Sequence, residues 1–239
     1  MSIKLQVGKI IGSSIDKLIE LNYKLTPFIP TGRILPLDLK RANIYPRNIF
    51  DAGANIGQTA NYFIRHFPDA DIYCFEPVGA TYKKLVSNVN NSNIHTFNEG
   101  LGATIQTHTI NKNGSSGASS LKNDDGRFSE TENVKINTAQ NFCIQNQITA
   151  IDLLKMDVEG YELEVLSGLG PMLKNVKMIY SEVGFNNGDP YKTYYPDLLE
   201  MCRDHGFITS GFYEPYRWGN TKLSFFCNVL LINTTLVEV

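Results

Sequence analysis

From residue 48 onward, short apolar runs alternate with segments of helical periodicity, and this alternation limits the possible folds more than any other feature. Strands that alternate with helices are typical of a mostly parallel sheet with helices on both faces. Because the last two predicted strands have no helix between them, we expect an antiparallel pair at the edge. The predicted strands are 48–51, 71–76, 94–98, 151–158, 176–183, 208–213 and 223–232, and the predicted helices are 58–67, 81–89, 139–147, 161–173 and 198–205.

Two segments fall outside this alternation. Residues 5–23 have the pattern of an amphipathic helix, and a connection with prolines at 27, 30, 36 and 46 follows them. Residues 104–110 are strand-like, whereas 111–120 are rich in Gly, Ser and Asn, which predicts a loop, and polar residues continue to about 137. In a chain of 239 residues, we therefore predict one domain over 48–239. Residues 1–47 would be an extension that serves as a lid or as the arm of a homodimer.

Charge and cysteine content exclude several classes of protein. The net charge is -2 and the hydrophobic fraction 42%, which argues against a disordered chain, a nucleic-acid coat or a protein that binds anionic membranes. The sequence contains no run of about 18 apolar residues, so it predicts no membrane span. The first nine residues lack the apolar core of a signal peptide. The four cysteines form no Cys-x-x-Cys pair. We interpret them as buried reduced thiols of a cytoplasmic protein, not as zinc ligands or disulfides.

The loop between the first predicted strand and helix reads Asp51-Ala52-Gly53-Ala54-Asn55-Ile56-Gly57. Gly53 permits a tight turn, and Gly57 permits either close packing or a ligand at the helix N-terminus. In a dinucleotide-binding loop, Gly-x-Gly-x-x-Gly, glycines would stand where this chain has Asn55 and Gln58. No Gly-Lys-Ser/Thr follows, which excludes a P-loop. The loop therefore argues against a bound pyrophosphate.

Glu76 ends the second predicted strand, nineteen positions after Gly57. An acid about 20 residues beyond such a loop accepts hydrogen bonds from ribose hydroxyls. A site that takes a nucleoside but avoids its phosphates fits S-adenosylmethionine, whose cationic sulfonium suits Asp51, Asp157 and Glu159. The structural alternative is an ordinary strand–helix turn with a capping Asp.

A second group of acids follows the strand 151–158. Asp157 and Glu159 lie two apart, so in an extended segment they would point the same way. Glu182 ends the next predicted strand, which should neighbour the first. Lys155 lies within a strand that we expect to be buried, and this cluster could supply its carboxylate partner. The structural alternative is helix capping by Asp157 or Glu159 with a solvated Glu182.

Three segments, 49–57, 75–77 and 152–162, together resemble the signature segments of FkbM-type methyltransferases. The resemblance covers roughly 48–185. It implies the class I methyltransferase fold, a Rossmann-like sheet of seven strands with an antiparallel strand last, and S-adenosylmethionine as the cofactor. It places Glu99 at the adenine side and matches 114–120 to a Gly/Ser-rich segment before a variable insert. The predicted cofactor-binding residues are Asp51, Gly53, Asn55, Gly57, Glu76, Glu99 and Asp157.

The resemblance implies methyl transfer to a hydroxyl of a sugar, glycan or natural product. A hydroxyl needs a base to take its proton, and the candidate catalytic residues are Asp157, Glu159 and Glu182, with Asp157 favoured. A divalent cation held by these carboxylates ranks second as a hypothesis, and we predict no resident metal.

Two other functions remain open, an NAD-dependent oxidoreductase and a non-catalytic module that binds S-adenosylmethionine. A nucleic-acid acceptor is disfavoured by the charge and by the missing Asn-Pro-Pro-Tyr motif.

Overall fold

The computed structural model describes residues 32–112, 130–189, 191–218 and 224–238. These residues belong to two compact units, one that ends at Tyr45 and one that begins at Pro46. The described strands are β1 (Asn48–Ala52), β2 (Asp71–Phe75), β3 (Ile94–Phe97), β4 (Gly100–Leu101), β5 (Gln106–Lys112), β6 (Glu130–Asn137), β7 (Ile151–Met156), β8 (Val176–Gly184), β9 (Phe207–Trp218) and β10 (Ser224–Asn233). The described helices are α1 (Leu35–Arg41), α2 (Gln58–His66), α3 (Gly79–Asn88), α4 (Ala139–Gln145), α5 (Glu162–Ser167) and α6 (Tyr195–Arg203), and Gly170–Asn175 is a 3-10 helix.

Seven of these strands form one sheet in the order β3-β2-β1-β7-β8-β10-β9. The neighbours from β3 to β8 pair in parallel, and β10 is antiparallel to both β8 and β9. The predicted α/β class and the class I methyltransferase arrangement are confirmed. The strand order adds that β10 lies inside the sheet and leaves β9 at the edge.

The core of the sheet explains why the parallel strands read as continuous apolar runs. All six residues of β7 are buried, because β7 lies between β1 and β8 and is covered on its faces. Phe142 of α4 packs edge-on against Phe50 and Phe75, with ring centroids 5.6 and 4.8 Å apart. This packing covers β1 and β2, and β7 pairs in parallel with β1, so the carboxyl ends of all three strands lie at one edge of the sheet.

A second, three-stranded sheet has the order β4-β6-β5. The strand-like segment predicted at 104–110 is confirmed as β5, with a slightly later start, but β6 falls in the stretch that was described only as polar. Val134 and Ile136 are its two buried apolar residues, on either side of the exposed Lys135. They pack with Ile110 and Val78. Two apolar positions are too few to stand out as an alternating pattern in the sequence.

Two helices differ from their predictions because of glycine and proline. The helix predicted at 161–173 is interrupted, since a Cβ at Gly168 would lie 1.9 Å from the carbonyl oxygen of Gly102 and Gly170 has φ +48°. Helix α1 lies in the segment that was predicted as a proline-punctuated connection. Pro36 stands in its first turn, where a missing N–H costs nothing, and Asp38 accepts a hydrogen bond from the Gly32 N–H at 2.6 Å.

Some predictions lie outside the described residues, namely the helix at 5–23 and the Gly/Ser-rich segment 114–120. In the part of the chain that is described, no helix is both long and apolar enough to cross a membrane.

Candidate active site

The loop after β1 folds over the end of β2 through backbone hydrogen bonds. The N–H groups of Gly53 and Ala54 both donate to the carbonyl of Phe75, at 3.1 and 3.0 Å. Gly53 has φ +76°, and a Cβ there would lie 2.1 Å from the carbonyl oxygen of Asp157. Only glycine fits this position, because it must pass close to the backbone that follows β7.

Glu76 is fixed at the end of β2 by two backbone donors. Its Oε2 accepts from the Asn55 N–H at 3.1 Å and its Oε1 from the Val78 N–H at 2.9 Å. Burial of the carboxyl raises the pKa of Glu76 to about 7, although both hydrogen bonds act in the opposite direction. A carboxylate has about four lone-pair sites, so Glu76 keeps acceptor capacity for a ligand.

Glu76 lines an open cleft that encloses about 720 Å³ together with the solvent at its mouth. Val78, Leu101 and Ile110 form an apolar wall, and the acids Asp157 and Glu159 lie among the lining residues. The cleft residues are Gly53, Asn55, Glu76, Pro77, Val78, Thr81, Gly100, Leu101, Ile110, Asp157, Val158 and Glu159.

Three predicted cofactor-binding residues do not line this cleft. A Cβ at Gly57 would lie within 2.9 Å of the side chains of Leu85 and Val89, so Gly57 serves the close packing of α2 against the end of α3. Glu99 accepts a hydrogen bond from Asn137 at 3.1 Å, while its neighbours Gly100 and Leu101 line the cleft. Asp51 is fully buried below the loop.

Lys155 connects the two acidic regions. Its Nζ lies 2.9 Å from Asp51 Oδ1, donates to the carbonyl of Gly53 at 3.2 Å and lies 4.0 Å from Asp157 Oδ2. The nearest carboxylate partner of Lys155 is therefore Asp51 of β1, and the cluster after β7, which was expected to supply the partner, lies farther away. Although burial opposes the charge, the field of Asp51 and then Asp157 raises the pKa of Lys155 to about 12. Lys155 thus keeps its positive charge in the buried space between Asp51, the Gly53 carbonyl and Asp157.

The predicted catalytic acids lie at the ends of the neighbouring strands β7 and β8, as expected from the strand order. Asp157 is half-exposed, with 44% of its side chain accessible. The segment after β7 is not extended, because Glu159 has φ +53° and Gly160 φ +92°. The reason given for a shared direction of Asp157 and Glu159 was therefore wrong, although both line the cleft. Glu182 lies two residues before the end of β8.

Two residues of this region had no predicted role. Lys192 Nζ lies 3.0 Å from Glu159 Oε2 and contacts the Glu182 carboxylate. Glu162 is 1% exposed and accepts hydrogen bonds from the N–H groups of Val158 and Gly160 and from the Thr193 hydroxyl. Glu162 belongs to the segment 152–162 that carried the resemblance, but Lys192 lies in a polar loop without a motif, and no sequence signal could have found it.

The model of the methyltransferase FkbM domain family matches residues 51–209, which contain the loop after β1, Glu76 and the acids after β7. This chain belongs to the FkbM methyltransferase domain family. The family assignment predicted from three short segments is thereby confirmed, and with it S-adenosylmethionine as the cofactor.

Relatives of this FkbM domain include 2-O-methyltransferase NoeI of Sinorhizobium fredii (strain NBRC 101917 / NGR234), 25% identical over 150 residues, which cover 56% of this chain and 62% of that protein. Methyltransferase 1 of Beauveria bassiana (strain ARSEF 2860) is 29% identical over 143 residues, 51% of this chain and 57% of that protein. The solved structure of methyltransferase FkbM from Methylobacillus flagellatus KT has a TM-score of 0.47 at 14% identity and covers 77% of this chain and 43% of that one. The chain matches about three fifths of the length of its curated relatives.

The cleft of this FkbM domain fits S-adenosylmethionine on two counts. The Glu76 carboxylate lies where it could accept hydrogen bonds from ribose hydroxyls. The apolar wall of Val78, Leu101 and Ile110 suits an adenine ring. The structure supports no role in this cleft for the Glu99 side chain.

Proposed function

We propose that this FkbM domain transfers the methyl group of S-adenosylmethionine to a hydroxyl oxygen of a sugar, glycan or natural product. The observation that carries the proposal is Asp157, a half-exposed carboxylate that lines the cleft at the end of β7. A hydroxyl is a weak nucleophile, and a carboxylate at its proton typically speeds transfer by about 10²–10⁴-fold. The name of the relative NoeI, a 2-O-methyltransferase, supports oxygen as the acceptor atom.

Chain residues would position the reaction. When bound, S-adenosylmethionine supplies a methyl group on a positively charged sulfur, and an acceptor oxygen must meet that methyl group in line with the sulfur. Glu76 and the Asn55 N–H define one end of the cleft. The Asp157 N–H donates to the Ala52 carbonyl at 3.1 Å, which anchors the other end to β1. An oxygen of Asp157 would accept the hydroxyl proton.

The charges of the acceptor side support an uncharged acceptor. The carboxylates of Asp157, Glu159 and Glu182 outnumber the ammonium groups near them, which among the described residues are those of Lys192 and Lys155. An excess of negative charge repels phosphate-rich acceptors such as nucleic acids. The Lys192 ammonium also contacts Glu159 and Glu182, two of the three carboxylates to which the cation hypothesis assigned a divalent ion.

A screen of sugars and glycans with labelled S-adenosylmethionine tests the proposal. We expect label in an ether-linked methyl group on the acceptor. Asp157→Asn should lower kcat by about 10² or more, and calorimetry separates this loss of turnover from any loss of affinity for S-adenosylmethionine. Asp69→Asn is the matched control, because this exposed carboxylate pairs with Arg47 on the surface.

Three results would count against parts of the proposal. Full turnover of Asp157→Asn would remove Asp157 from the role of base. Loss of activity after exhaustive EDTA treatment would revive the cation hypothesis. Tight binding of NAD without binding of S-adenosylmethionine would favour an oxidoreductase.

A further inference from the structure

Lys192 reaches the acceptor side of the site from the segment between β8 and α6. Its Nζ lies 3.0 Å from Glu159 Oε2, contacts Glu182 and lies 5.2 Å from the centroid of the Phe226 ring. Only 14% of its side chain is exposed. A buried ammonium is costly unless it is paired, and here a carboxylate from the loop after β7 and one from β8 pair with it at once.

Thr193, the residue that follows Lys192, is attached to the same two elements. The Gly184 N–H donates to the Thr193 carbonyl at 2.9 Å. The Thr193 hydroxyl donates to the Glu162 carboxylate, which also accepts the N–H groups of Val158 and Gly160. Glu162 thereby ties the segment of Lys192 to the turn that carries Glu159.

Gly184 gives the Lys192 side chain its place at the end of β8. A Cβ at position 184 would lie 2.9 Å from Lys192 Cβ, closer than side-chain carbons approach one another. The stem of Lys192 therefore passes directly over the strand end. Lys192 is therefore held in place by backbone hydrogen bonds of its neighbour and by close packing on Gly184, unlike the mobile side chains of a surface ion pair.

We propose that Lys192 is the positioning residue of the acceptor side, which fixes Glu159 and Glu182 relative to each other and favours the ionised form of Glu182. The proposal rests on the proposed transfer to a hydroxyl, because a protonated Glu182 beside Asp157 would compete with the acceptor hydroxyl as a donor to that base. Lys192 acts through the two carboxylates and need not touch the acceptor.

The electrostatics of Glu182 agree with this role. Burial, followed by the field of Asp157, raises the pKa of Glu182 to about 7, and Lys192 opposes the rise. An opposite charge at contact lowers a carboxyl pKa by about one to three pH units, so without the ammonium Glu182 would be protonated at neutral pH. The titratable groups that face Glu182 are Asp157, Glu159, Lys155, Lys192 and Cys227.

A carboxylate titration of the full chain, labelled with ¹³C at Glu side chains, tests the proposal without an acceptor. We expect the midpoint of Glu182 to rise by about one to three pH units in Lys192→Met and to stay near that of the wild type in Lys192→Arg. Lys177→Met is the control, because Lys177 pairs with Asp152 at the opposite end of β8. An unchanged midpoint in Lys192→Met overturns the proposal. If Lys192→Met does not fold, Lys192→Gln replaces it in the same titration.

Kinetics with an accepted hydroxyl substrate provide the second test. In Lys192→Met we expect kcat to fall at neutral pH and to recover at higher pH, while the KM for S-adenosylmethionine stays unchanged. Gly184→Ala keeps the ammonium but displaces its stem, and it should shift the pH profile in the same direction. A loss of kcat that is equal at every pH would overturn the proposal. A wild-type protein that methylates no hydroxyl would contradict the proposed function, while the titration of Glu182 would still decide the role of Lys192.

Discussion

The cofactor half of the site, at the ends of β1 and β2, is held by backbone groups, whereas the acceptor half, at the ends of β7 and β8, is held by charged side chains. In the cofactor half, backbone N–H groups fix both the loop and Glu76. In the acceptor half, Lys192 holds Glu159 and Glu182. A backbone frame does not depend on pH or salt, but a frame of ion pairs does. The loop and Glu76 should therefore keep their positions under changes of salt concentration that alter the acceptor half.

The largest effect is expected where the two halves meet, at Gly53. Gly53→Ala would place a Cβ against the Asp157 carbonyl at a positive φ, which should destabilise the fold by roughly 2–5 kcal/mol. Binding of S-adenosylmethionine and transfer should both fail. Denaturant unfolding measures the loss, with Gly188→Ala as the control, since a Cβ there meets nothing closer than 3.7 Å. Equal stability of the two variants would contradict this account of the junction.

Glu76→Ala should affect the cofactor half alone. It removes the acceptor for ribose and for two backbone N–H groups, so the affinity for S-adenosylmethionine should fall at least about tenfold. Calorimetry measures the affinity, and the Glu182 titration should remain as in the wild type. An unchanged affinity would refute the ribose assignment.

A smaller effect is expected from pH. Because the pKa of Glu76 is raised to about 7, protonation below that pH should weaken binding of ribose, by at most tenfold per pH unit. The stability of the ligand-free protein should depend on pH in the opposite direction. Because the pKa of Glu76 is higher in the folded than in the unfolded protein, its contribution to folding stability is lost as the pH rises through about 7. Calorimetry at several pH values should show the dependence in the wild type. A dependence that persists in Glu76→Gln would assign it to another group.

The smallest effect is expected at Glu99. Its side chain bonds Asn137 and does not line the cleft, so Glu99→Ala should change the affinity for S-adenosylmethionine by less than about twofold. Calorimetric titration of wild type and Glu99→Ala with S-adenosylmethionine measures the two affinities. A tenfold loss would restore Glu99 to the cofactor half, as the family resemblance implied.

The mostly parallel class of the main sheet could be predicted because its signals are local in the sequence. A buried strand such as β7 has a continuous apolar run, and a strand–helix alternation then dictates a parallel sheet. Helix α1 could not be predicted, because Pro36 acts as a helix start in one context and as a breaker in another. Strand β6 was missed because only Val134 and Ile136 mark its buried face.

The two halves of the site also differ in how much of them the sequence could predict. Gly53 and Glu76 lie at fixed distances from strand ends, and their spacing alone pointed to a ribose-binding site. Lys192 is brought to Glu159 by contacts between segments far apart in the sequence, through Glu162 and Gly184. Such a placement depends on tertiary packing, which spacing along one chain does not encode.

The insertion of β10 between β8 and β9 determines the order in which the ribosome can complete the two halves. The strands β3, β2, β1 and β7 pair with one another, so the cofactor half can assemble as soon as β7 has been translated. The far edge of β8, where Glu182 pairs with Asn228, stays open until β10 emerges, after β9. A nascent chain that pauses between these two strands would therefore expose an apolar strand edge, which is a template for association with other chains.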